Sequence, residues 1–245
     1  MKWDGMETHK ADAQYLYSMA EKLGADLFGV ADLRPVQNFI TQQGGQILGN
    51  FSHAVVLGAR LSNTVVDQLD PLMPADYSLY GFHVYKAVSP LLDTIALRVS
   101  REIETKGYRA LPIPTSQFRR PGERISIFPH KLAARLAGLG WIGKNCLLIT
   151  PKFGPRIRLA SVLTDCELEA GTIIEGSCGD CRVCADVCPV GALKGVEFRE
   201  SEGVENRLDV NACGNYRDGA DSGARRGAHV CALCLAKCPK GHVTS

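Results

Sequence analysis

Hydrophobic positions recur at helical spacing early in the chain: Leu16, Met19, Ala20 and Leu23 fall within residues 11–23, and Gly24 follows where a C-terminal cap belongs. This predicts a first helix ending there. The continuous apolar runs at 26–31 (DLFGVA) and 53–58 predict two buried strands, with a looser stretch from Pro35 through Gly44 and Gly45 between them. Residues 70–76 carry two prolines and read as a loop, followed by the aromatic group Tyr77, Tyr80, His83 and Tyr85. Val84, Val88, Leu91, Leu92, Ile95, Val99 and Ile103 form a long helical stripe, kinked or restarted at Ser89-Pro90 and stopped at Lys106-Gly107. A strand is expected at 108–113, a short helix at 130–137, and strands starting at 146 (CLLIT) and 157 (IRLASVL). Beyond about residue 171 the periodicity fades. The pattern is α/β (α+β), and it predicts a first domain over 1–170 and a second over 171–245 that something other than a hydrophobic stripe organises.

Composition narrows the class. A chain of 245 residues with 45% apolar and 22% charged residues can bury a core without disulfides, and no apolar run approaches the ~20 residues of a spanning helix. The N-terminal stretch shows neither the apolar core of a signal peptide nor a twin-arginine pair, so a cytoplasmic location with no membrane partner is expected. A net charge of +2 gives no global argument for nucleic acid. The proline-rich connection between Pro112 and Pro129 carries Arg119, Arg120 and Arg124, and it reads equally as a solvated loop or a binding loop.

The cysteines say what organises the C-terminal part. Cys178, Cys181, Cys184 and Cys188 are spaced C-x2-C-x2-C-x3-C with Pro189 next, the run in which three thiolates hold one iron-sulfur cluster and the fourth reaches to another. Cys231, Cys234 and Cys238, with Pro239 next, supply most of a second set, and Cys213 stands where a displaced first member would. Crossing the ligands assigns Cys178, Cys181, Cys184 and Cys238 to one [4Fe-4S] cluster and Cys188, Cys213, Cys231 and Cys234 to the other. Cys166 is the alternative to Cys213. Zinc is the rival metal and a disulfide framework the third possibility, although the two C-x3-C-P endings favour iron-sulfur. Cys146 and Cys166 are otherwise small buried hydrophobes.

Residues 138–145 (GLGWIGKN) match the dinucleotide pattern GxGxxG and nearly match a phosphate-binding loop. Both motifs require a strand before the glycines and a helix after them, whereas here a helix precedes and a strand follows, with Asn145 at the Ser/Thr position. What survives is a backbone that needs unusual dihedrals or close approach, with Trp141 and Lys144 flanking it. A ligand-side loop and a glycine-rich helix stop are both open on these residues.

The stretch AGLGWIGKNCLLITPKFGPRIRLASVLTDCEL, followed by CGDCRVCADVCPVGAL, Cys213 and CALCLAKCP, resembles the epoxyqueuosine reductases, with cobalamin-dependent reductive dehalogenases as more distant relatives. The likeness is specific from about residue 130 to 239 and weaker from residue 10 onward. It implies a nitroreductase-like, cobalamin-binding α/β domain followed by a bacterial ferredoxin-like domain whose two clusters feed electrons to base-off cobalamin. It also implies that Gly140, Trp141, Ile142, Gly143, Lys144 and Asn145 contact the corrinoid. Three departures accompany it. The strand end where these reductases place a proton-donating acid reads Pro112-Ile113-Pro114-Thr115-Ser116 here, without a carboxylate. The chain stops seven residues after Cys238, so no helical-repeat region for holding tRNA follows and tRNA is not the expected partner. The twin-arginine signal of exported dehalogenases is absent.

The resemblance thus implies reductive cleavage or deoxygenation of a small-molecule substrate, supplied by an external low-potential donor such as ferredoxin or flavodoxin. An electron carrier or corrinoid-reducing activator is the competing class, and an epoxyqueuosine-type tRNA reductase with a helper subunit the third. For the proton such chemistry consumes, Tyr80 and His130 are the nominated donors, with Lys131 orienting an anionic group. Core packing, surface exposure or helix capping would account for the same residues.

Overall fold

The computed structural model describes residues 6–69, 74–116, 124–217 and 231–241. In chain order its elements are α1 Met6–Lys22, β1 Leu27–Asp32, α2 Gln37–Gly44, β2 His53–Arg60, α3 Asn63–Asp67, α4 Pro74–Phe82, a π-helical segment His83–Val88, α5 Ser89–Thr105 and β3 Ala110–Ile113. There follow α6 His130–Leu136, β4 Trp141–Ile142, β5 Leu148–Ile149, β6 Ile157–Thr164, α7 Val183–Asp186, α8 Val210–Arg217 and α9 Leu233–Ala236. Arg119 and Arg120 lie outside the described residues.

The chain forms two compact units, each assembled from separate stretches: 1–59, 88–139 and 158–174 in the first, and 60–87, 140–157 and 175–245 in the second. This differs from a single break at residue 170. The stretch 140–157 is hydrogen-bonded into the cysteine region, and Arg156 in turn holds Asn63 and Asp67 of the stretch 60–87. Lys144 reaches the Gly179 and Cys181 carbonyls, Asn145 the Cys234 carbonyl, and Arg156 the Ala236 carbonyl. Sequence adjacency hides such pairings.

The first unit is built on a sheet of order β1-β2-β6-β3, in which β1 pairs antiparallel with β2 (Leu27 opposite Gly58) and β3 antiparallel with β6 (Ala110 opposite Thr164). The central strands β2 and β6 are buried almost throughout, which is why they read as continuous apolar runs rather than alternating ones. Helix α5 turns Leu92, Ile95, Ala96, Val99 and Ile103 inward, and each of the leucine, isoleucine and valine side chains contributes about 1.5–3 kcal/mol of burial. It packs on β3 and on α1, while α6 packs on β1.

The expected interruption at Ser89-Pro90 takes a different form. The helix runs on through Pro90, and the strain is absorbed upstream by the π segment. Proline removes one backbone donor and its ring crowds the carbonyl four residues earlier, that of Lys86. Widening the turn over 83–88 makes room for it. Of the loop expected at 70–76, residues 70–73 lie outside the described residues, and 74–76 belong to α4, which starts at Pro74; proline suits a first helical position, where its missing N–H has no partner to lose.

The second unit holds the β4–β5 hairpin and the three short helices α7, α8 and α9. Among the described residues no helix is long and apolar enough to cross a membrane.

Candidate iron-sulfur site

The cysteine region repeats one small design. Helices α7 and α9 are four residues each, pack against one another, and carry a cysteine at their second position, Cys184 and Cys234. A further cysteine, Cys188 or Cys238, follows four residues later at the end of the same turn. The turns before each helix present Cys178 and Cys181 in one case and Cys231 in the other, while α8 presents Cys213.

Electrostatic neighbours sort these thiols into two sets. Burial pushes the Cys184 thiol up to about 11, and the charges that add to it are Cys178, Cys238 and Cys181. Burial also raises Cys234, strongly, and there the neighbours are Cys231, Cys213, Cys184 and Cys188. Cys238 is raised by burial and by Cys178 and Cys181. The structure therefore places Cys178, Cys181 and Cys238 near Cys184, and Cys231, Cys213 and Cys188 near Cys234, with Cys184 also among the neighbours of Cys234. Cys166 belongs to the first unit, where burial and Asp12, Asp165 and Glu167 push it up to about 12.

The donor chemistry fits cubanes. Buried thiols with raised pKa values are ionised only in exchange for metal, so loading expels protons. The Ala192 amide donates to Cys188 Sγ at 3.3 Å, and the Cys178 amide donates to Glu197 at 2.8 Å.

Residues 138–145 have packing roles of their own within the chain. Gly140, at φ +157, lies so close to the Ile149 carbonyl that a Cβ would overlap it, which explains this glycine by the tight β4–β5 hairpin. Lys144 is only 7% exposed and donates to the Gly179 carbonyl and, at 3.2 Å, to that of Cys181. Asn145 donates to the Cys234 carbonyl at 3.4 Å and accepts from the Leu147 amide at 3.1 Å. Lys144 and Asn145 thus brace the cysteine turns. Of the loop's polar side chains, Trp141 is left with a buried Nε1–H that has no partner, its ring covered by Gly176. This is the group in the loop that fits a corrinoid.

Arg156, 2% exposed, donates to Asn63, to Asp67 at 2.7 Å and to the Ala236 carbonyl, so it ties α3 to the turn that leads into Cys238. Gly154, at φ +54, sits against the Lys240 carbonyl just beyond Cys238. Gly154→Ala is expected to cost about 1–2 kcal/mol in backbone strain alone and, by displacing 239–241, to lower the iron retained by the Cys238 set. Anaerobic iron analysis together with a denaturation midpoint checks both.

The nominated proton donors fall in different units. Tyr80 lies on α4 in the second unit and is buried, at 5% exposure. His130 and the exposed Lys131 open α6 in the first. His130 Nε2 donates to the Pro114 carbonyl at 3.0 Å, so Nδ1 accepts from the Ser161 hydroxyl at 2.8 Å; burial pushes the pKa down to about 4. A neutral ring with both nitrogens engaged in the core argues against His130 as the proton donor.

His83 was noted in the sequence but not nominated, and Asp93 was missed. His83 lines an open cavity of about 420 Å³ with Arg60, Leu61, Ser62, Asn63 and Thr64. Its Nε2 accepts from the Ser62 amide at 3.0 Å, which leaves the ring proton of the neutral form on Nδ1, and burial lowers its pKa. The aromatic group 77–85 was the available signal. Asp93 accepts from the Thr115 amide at 2.8 Å, so a carboxylate does stand at the strand end that lacks one in sequence, delivered by α5.

Comparison with known proteins agrees with the cysteine geometry. Residues 177–241 match the 4Fe-4S double cluster binding domain. The epoxyqueuosine reductase of Listeria monocytogenes is 34% identical over 119 residues, 44% of this chain and 29% of that protein. The tetrachloroethene reductive dehalogenase of Dehalobacter restrictus is 39% identical over 118 residues, 42% of this chain and 20% of that protein. A reductive dehalogenase structure described as suggesting a mechanism for B12-dependent dehalogenation superposes with a TM-score of 0.71 at 21% identity, over 97% of this chain and 32% of that one. The matches thus span a third or less of these relatives. The fold is that of these proteins; the chain is similar to epoxyqueuosine reductases and to reductive dehalogenases, and its residues 177–241 match a domain that binds two 4Fe-4S clusters.

Proposed function

We propose that this chain is a cytoplasmic reductase that passes electrons through its two clusters to cobalamin and so cleaves or deoxygenates a small molecule. The observation that carries the reading is the pair of four-thiol sets inside one unit, in a chain similar both to epoxyqueuosine reductases and to a dehalogenase whose structure is described as B12-dependent. Bound cobalamin would supply a cobalt centre that accepts electrons singly and donates them to substrate. Three of the chain's own residues are nominated to serve that chemistry. Trp141 offers its unmatched indole N–H to a polar edge of the corrinoid. Tyr80, a phenol protonated at neutral pH, supplies the proton that a reduced product requires. Lys131, exposed at the start of α6, meets an anionic group, and a ferredoxin or flavodoxin delivers the electrons.

Anaerobic reconstitution of the two-cluster protein with cobalamin tests this: a stoichiometric corrinoid spectrum is expected, weakened in Trp141→Phe with iron unchanged. Full iron without any corrinoid uptake would leave an electron carrier. The epoxyqueuosine reductase relatives favour a second reading, in which the substrate is a tRNA nucleoside and a partner subunit helps to hold the RNA. Salt-sensitive tRNA binding by the cluster-loaded chain would select it.

A further inference from the structure

Two cations lie buried in the second unit without a carboxylate to pair with. Lys144, 7% exposed, has only carbonyl partners, Gly179 and Cys181, inside the first cysteine turn. Arg207 is 6% exposed. Its guanidinium reaches Cys146 Sγ at 3.9 Å, lies over the Phe198 ring at 4.8 Å, and keeps a buried Nε–H with no partner. A charge withdrawn from water is retained only where an opposite charge answers it. Among the described residues no acidic side chain does so for either cation.

The surroundings indicate what answers them. The Lys144 partners are the backbone of the turn that bears Cys178 and Cys181. The backbone around Arg207 is bonded to the segment after Cys188 and leads into the helix that bears Cys213. The Arg207 carbonyl accepts from the Lys194 amide, while Asp209 bonds Ala192, whose own amide donates to Cys188 Sγ, and the Cys213 amide bonds back to Asp209. Cys146, which Arg207 touches, shares a small buried cluster with Cys184 and Leu193, against which Cys234 packs, and adopts a left-handed backbone, φ +58, rare for a residue with a side chain. Four thiolates around a cubane leave it net negative, and one-electron reduction makes it more so. A buried cation beside it favours the reduced form.

We propose that Lys144 and Arg207 are the built-in counter-charges of the two clusters. Lys144 raises the potential of the cluster on Cys178, Cys181, Cys184 and Cys238, and Arg207 that of the cluster on Cys188, Cys213, Cys231 and Cys234. Both are positioning residues, and the inference requires no corrinoid.

The test is a redox titration of the full, two-cluster chain, with the reduced clusters read by electron paramagnetic resonance. Lys144→Met and Arg207→Met should each lower the potential of a different one of the two signals by a tenfold or larger change in reduction equilibrium, about 59 mV for one electron. Lys144→Arg and Arg207→Lys should stay near wild type. If the methionine variants lose iron while the charge-preserving variants keep it, the counter-charge role is supported through cluster retention. Intact iron with unmoved potentials in the methionine variants overturns the proposal. So does movement of the same signal by both, or charge-preserving variants as defective as the neutral ones.

Discussion

Replacing Cys238 with serine should cut the iron of the anaerobically loaded protein from about eight atoms per chain to about four. The effect is all-or-none for one cluster, because Cys238 is the remote member of the set completed by Cys178, Cys181 and Cys184. Cys213→Ser should remove the other cluster, since Cys213 lies among the neighbours of Cys234. Cys166→Ser should leave the iron unchanged, because that thiol sits in the first unit among Asp12, Asp165 and Glu167. Iron analysis with a spectrum of each variant checks all three. Retention of both clusters in Cys213→Ser, or loss of one in Cys166→Ser, would reverse the ligand assignment.

Lowering the pH from 7 towards 4 should cost the first unit about 3 kcal/mol through His130 alone. The folded ring titrates at about 4, below its ordinary value of 6.5, because burial disfavours the imidazolium. Between these values the unfolded chain binds a proton that the folded chain refuses. The contribution is therefore complete above about 6.5 and is lost progressively as pH falls to 4. His130→Gln keeps a donor and an acceptor for Pro114 and Ser161 but cannot titrate. Anaerobic denaturation of both proteins at pH 7 and pH 5 should show a smaller fall in stability for the variant. Equal falls would place the acid sensitivity elsewhere.

Much of the architecture was legible because its signals are local. The apolar runs of β1, β2 and β6 and the stripe of α5 report burial directly, and the cysteine spacing reports a ligand set because each short turn must deliver sulfur at a fixed interval. Even the crossing of Cys238 to the first set follows from that spacing. The π segment was not legible, since Pro90 announces a conflict without saying where the helix relieves it.

Lys144 shows where a local motif misleads. Beside Gly143 in a glycine-rich run it invites a ligand, yet its ammonium is claimed by carbonyls 35 and 37 residues away. His130 opens its helix like a capping or catalytic residue, and only the fold reveals Ser161 and Pro114 on its two nitrogens. The strand end at Thr115 looks bare of acid until α5 brings Asp93 to it, 22 residues away in sequence. What the sequence by itself determined is the type and order of the elements and the presence of a double-cluster domain, whose signals depend on neighbours within one turn or strand. The tertiary structure decided which stretches share a unit, which polar groups are satisfied, and where buried charge is left to be answered. Burial and hydrogen-bond partnership are set by segments far apart in the chain, and no window of sequence contains both halves of such a pair.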